Sequence, residues 1–139
     1  VIRVLNRQRR LAVNARALET FARAALSQCL KLRERKSSVL KQLTEISVII
    51  VSDARMAAIH KQFMNESGPT DVITFQHGDI VISAETAKRQ ARQYGTNVGD
   101  ELRLYIVHGL LHLCGFDDRT SAGAGEMKRV QERIVRSLS

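Results

Sequence analysis

A chain of 139 residues with 44% hydrophobic residues and a single proline has the length and composition of one compact domain, and excludes a disordered or low-complexity polymer. No apolar run approaches the roughly 20 residues that a membrane-spanning helix needs, and no signal-peptide core follows the basic N-terminal stretch, so the expectation is a cytoplasmic protein without membrane contact. The net charge of +8 lies wholly in residues 1–36, where ten Lys or Arg face only Glu19 and Glu34; such a concentration suits a polyanion, although a solvated basic face has the same composition.

Ile2, Val4 and Leu5 suggest a short first strand. Apolar spacing through Leu18, Phe21, Ala22, Ala25 and Cys29 then predicts a helix over residues 11–32. Arg7, Arg9 and Arg10 would open it and Lys31, Arg33, Arg35 and Lys36 would close it, placing the basic surface on this first helix. The β-branched run over residues 46–51 predicts a strand buried on both faces. Ser52 or Asp53 can cap a second helix running to about residue 65, which Gly68-Pro69 ends. Strands over 72–75 and 80–82 flank Gln76-His77-Gly78-Asp79, a hairpin turn. Ser83 caps a third helix to about Tyr94, and Gly95 and Gly99 bracket a loop before a helix over 100–114; an amphipathic helix over 126–138 follows. This order mixes crossover units with a hairpin. It predicts a single α+β domain over residues 1–139, with a small mixed sheet of about four strands and about five helices.

Within the helix over 100–114, His108 and His112 lie about 40° apart around the axis, so both imidazoles share one face. Gly115 stands where a helix stops, and the reversal there can return Asp118 to the histidines. Two imidazoles and a carboxylate satisfy a catalytic zinc site that keeps an open position. The spacing H-x-x-x-H-x-x-G-x-x-D matches the geometry of the long zinc-protease signature, a zincin-like metal helix; the alternative is a buried histidine pair held by backbone carbonyls. Zinc proteases carry a glutamate after the first histidine as general base, and here Gly109 has no side chain to move a proton, which makes peptide hydrolysis the weaker use. The two cysteines are too few for a disulfide framework, and Cys114, about 200° round the helix from His112, should face the core.

Three segments together carry a family likeness: Gly68-Pro69-Thr70-Asp71-Val72-Ile73-Thr74-Phe75, then Gly78-Asp79-Ile80 with Ile82 and Ser83, then the histidine motif. From Ile46 onward the chain resembles the YbeY family of bacterial metal-dependent endoribonucleases, which implies a role in ribosomal RNA maturation and ribosome quality control. The resemblance implies RNA and the ribosome as partners, one Zn2+ as cofactor, and His108, His112 and Asp118 as its ligands. Asp118 departs from the histidine usual in the family; aspartate binds zinc through oxygen, but its charge makes the bound water less acidic. Met64 stands where the family carries an arginine that would stabilise phosphoryl charge, and Lys61, one turn earlier, could substitute if it reaches the cleft. Asp117 matches a family aspartate that could orient a ligand or accept a proton, or else simply holds turn amides. No catalytic base is assigned. Thr70, Asp71 and Asp79 read as turn residues, and His60 and His77 carry no chemistry. Two rival functions remain: a ribosome assembly factor with a structural metal, and a zinc protease.

Overall fold

The β-branched run Ile46–Val51 forms a central strand (β2), paired in parallel with Ile2–Asn6 (β1) on one side and Asp79–Ser83 (β4) on the other. Val72–Thr74 (β3) adds an antiparallel edge, giving the order β1-β2-β4-β3. The computed structural model describes residues 1–138. Among them, five α-helices accompany this mixed sheet: α1 (Ala15–Leu30), α2 (Asp53–Met64), α3 (Ala84–Tyr94), α4 (Val98–Leu113) and α5 (Ser121–Ser137). No helix among the described residues is long and apolar enough to cross a membrane.

Side chains alternate across a strand, and the sheet uses both faces. Val48, Ile50, Ile80 and Ile82 join the larger core with α1, α3, α4 and α5, whereas Val51, Ile73 and Val81 meet Met56 and Ile59 of α2 on the other side. Helix α4 runs through the larger core, with Ile106, Val107, Leu110, Leu111 and Leu113 inaccessible to solvent. Its close approach to the sheet depends on Gly109. A Cβ there would stand 2.5 Å from Ile80 Cγ2, inside contact distance.

Helix starts follow side-chain caps. Asn14, Ser52, Ser83, Asn97 and Thr120 each accept an amide hydrogen from the first turn of the helix that follows. Three helix starts differ from expectation. Helix α1 begins at Ala15 because Gln8 knots the preceding segment: its side chain accepts from the Leu11 amide and donates to the Leu11 carbonyl and to Asn6. Arg7, Arg9 and Arg10 therefore lie in the connection before α1, and Lys31, Arg33, Arg35 and Lys36 in the connection after it, so these basic residues flank the helix instead of decorating it. Helix α4 starts at Val98, two residues early, because Asn97 caps it. Helix α5 starts at Ser121, five residues early, behind Thr120; Gly123, which weakens a helix on propensity alone, is needed there because a Cβ would collide with the Asp117 carbonyl.

Candidate metal centre

The last two turns of α4 and the turn after it build the site. Gly115 takes φ +94°, a conformation that costs glycine little, and the chain reverses so that Asp118 returns over the helix end. His108 Nε2 and His112 Nε2 face each other at 3.1 Å, and Asp118 Oδ2 lies 3.7 Å from each. The structure thus brings together the three residues singled out from the sequence, as a group able to hold a metal ion.

The remaining ring nitrogens explain why these atoms point inward. His108 Nδ1 lies 2.9 Å from Gln131 Oε1 on α5, and the His112 ring hydrogen-bonds the Phe116 backbone carbonyl. When each Nδ1 carries the ring proton, both Nε2 lone pairs converge beside a carboxylate oxygen, an arrangement that a cation among them would relieve. Tetrahedral zinc with bonds of about 2.0–2.1 Å sets its ligand atoms about 3.3–3.4 Å apart. The observed edges bracket that spacing, so the donor set fits the ion in both chemistry and size. Burial is the main cause that lowers the His112 pKa, and it favours the neutral ring that a metal requires.

Beside the donors opens a recess of about 380 Å³, lined by Ser37, Gln76, His112 and residues 115–119. Ser37 belongs to the connection after α1, which is bound tightly to the end of α4. Val39 N–H donates to the Leu113 carbonyl at 2.9 Å, Ser37 Oγ donates to the Gly115 carbonyl, and Arg35 lies 3.8 Å above the Phe116 ring while pairing with Glu126. A Cβ on Gly115 would meet Ser37 Oγ at 2.9 Å and both Arg35 Cβ and Ser38 N at 3.0 Å.

Other residues singled out from the sequence take structural parts. Asp117 accepts from the Arg119 amide and guanidinium, and these bonds, the guanidinium first, hold its carboxyl below the usual range. Asp71 accepts from the Val72 amide at 2.8 Å in the bend before β3, and Asp79, the first residue of β4 and not a turn residue, pairs with His77; His60 contacts Glu66 and the Gly68 carbonyl. Lys61 and Met64 are exposed on α2 and do not line the recess. Cys114 faces the core, its thiol 3.8 Å from the Cys29 carbonyl. Gln131 was not legible in the sequence: no local motif marks a residue that meets His108 from another helix.

A mixed-sheet α+β domain whose central helix ends in two facing imidazoles and a returning carboxylate defines a metal-binding protein of zincin-like geometry. The chain belongs to the Endoribonuclease YbeY family, whose model matches residues 3–139. It is 37% identical over 121 residues to the Endoribonuclease YbeY of an Anaeromyxobacter species, covering 77% of this chain and 63% of that protein. The Nautilia profundicola protein of the same name is 39% identical over 103 residues, covering 68% of this chain and 73% of its own length. In fold the chain is similar to the solution structure of TM1509 from Thermotoga maritima, at a TM-score of 0.66 and 24% identity, covering 99% of this chain and 89% of that one.

Proposed function

We propose that this chain is a metal-dependent endoribonuclease acting in ribosomal RNA maturation and ribosome quality control in the cytoplasm, with residues 1–139 as one domain and a single zinc ion held by His108, His112 and Asp118. The observation that carries this reading is the convergence of three donor atoms, 3.1–3.7 Å apart, beside an open recess. When bound, zinc supplies a Lewis acid for a phosphoryl oxygen and a bound water of lowered pKa.

The chain's own residues divide the remaining tasks. Asp117, kept ionised by Arg119, is a poor proton acceptor near neutral pH and serves to shape the turn. Arg119 lines the recess and presents a cation at its mouth, where Met64 offers none. The basic connection after α1, which reaches the recess at Ser37, draws in RNA phosphates. With 4% aromatics and no tryptophan, backbone contacts outweigh base stacking. Gly109 leaves no base beside the first histidine, and Ile80 leaves no room for one, which disfavours the protease reading.

Incubating the purified protein with structured RNA and with casein tests the proposal. Metal-dependent cleavage of RNA, lost in His108→Ala, is expected. Proteolysis with intact RNA defeats it, and an inert parent whose His108→Ala variant merely melts earlier points to a ribosome assembly factor with a structural metal.

A further inference from the structure

We propose that Gln131 is a positioning residue that fixes His108 in the tautomer offering Nε2 to the metal, an inference that rests on the metal-centre reading above. Gln131 lies between Met127 and Ile134 on α5, at i+4 and i−3, so the three share one face of the helix. Met127 and Ile134 are buried, at 1% and 3% exposure, in the core that α4 also lines. Gln131 itself is half-buried between them, and an amide partly withdrawn from water in this way gains from a partner. Its partner is the His108 ring, at 2.9 Å.

An amide can meet an imidazole nitrogen in two ways, through its oxygen or through its NH2. Only the first places the ring proton on Nδ1 and leaves a lone pair on Nε2. His108 Nε2 is the atom that faces His112 Nε2 and Asp118 Oδ2, so the oxygen-accepting arrangement is the one compatible with metal binding. The two histidines are thus oriented by different means: His112 by the Phe116 backbone, which no substitution removes, and His108 by a side chain that mutation can remove.

Zinc affinity, read by competition with a chromophoric chelator, tests this in Gln131→Leu and Gln131→Glu. Leucine, with no acceptor, is expected to weaken binding about 10- to 100-fold, whereas glutamate, a stronger acceptor, should bind zinc at least as tightly as the parent. In metal-free protein at mildly alkaline pH, nitrogen-15 NMR should find the His108 proton on Nδ1 in the parent and in Gln131→Glu, and shifted toward Nε2 in Gln131→Leu. Parent-like affinity in Gln131→Leu, or an equal loss in both variants, overturns the inference. If Gln131→Leu does not fold, weakened binding in Gln131→Glu overturns it alone. A parent that binds zinc with this dependence yet leaves RNA intact sinks the ribonuclease reading only; one that cleaves RNA while Gln131→Leu binds zinc normally sinks this inference only. A parent that binds no zinc overturns both.

Discussion

Asp118 differs from the two histidines in adding a carboxylate to the proposed donor set, and in the proposed zinc site its charge would set what a bound water can do. Replacing a carboxylate by a neutral imidazole raises the net positive charge at the ion and makes its water more acidic. Asp118→His should therefore keep metal binding and move the rising limb of the pH–rate profile for RNA cleavage toward lower pH; Asp118→Ala should lose affinity outright. Both are read by chelator competition together with the profile. Gly109→Ala makes a separate prediction, because its Cβ would press on Ile80, which is inaccessible to solvent in the core. Overpacking of this kind costs about 1–3 kcal/mol, measurable as a lower urea midpoint. At this scale the donors were legible because their spacing along one helix and turn fixes their geometry. Gln131 was not, because its meeting with His108 depends on how α5 docks against α4.

Helix ends show the same division between local and distant causes. The caps at Ser52 and Ser83 are one-residue signals from which the starts of α2 and α3 were readable, whereas α2 stops at Asn65 in the left-handed region, ahead of the Gly68-Pro69 that the sequence marks. The start of α1 was hidden in a knot around Gln8, and the start of α5 behind Gly123, which fits against the turn at Asp117. Asp53 links two of these ends. In the first turn of α2, it accepts from Ser83 Oγ at 2.7 Å and Thr86 Oγ1 at 2.8 Å at the start of α3, and pairs with Arg89. Burial alone would raise its carboxyl, but the hydrogen bonds from Arg89, Ser83 and Thr86 together outweigh it and hold the group below its ordinary value of 3.8. The unfolded chain thus takes up this proton at a higher pH than the folded one does. The stabilisation is complete above that ordinary value and disappears as pH falls through the lower, folded one. Denaturant midpoints followed from about pH 6 to about pH 2 should fall less steeply in Asp53→Asn than in the parent.

For the molecule as a whole, the α+β class and the mixed sheet could be read from the order of strands and helices. The placing of β4 between β2 and β3 is a long-range choice that no local signal carries. Charge was legible in amount but misplaced, since it flanks α1. If the connection after α1 grips phosphates, Arg33→Gln with Lys36→Gln should flatten the salt dependence of single-stranded RNA binding by about 1–1.5 in the logarithmic slope, with zinc affinity unchanged. Filter binding from low to moderate salt reads this directly; an unaltered slope would assign the polyanion contacts elsewhere.

That connection meets Gly115 with no slack between them, so this arm and the turn that carries Asp118 are packed as one unit, and the arm, if it holds RNA as proposed, lies at a fixed distance from the site. A strand anchored on the arm would then be presented to the ion at a constant offset. Breaks should fall a set number of nucleotides from the protected phosphates, as if measured by a ruler, and a footprint aligned with the cut sites would reveal that interval.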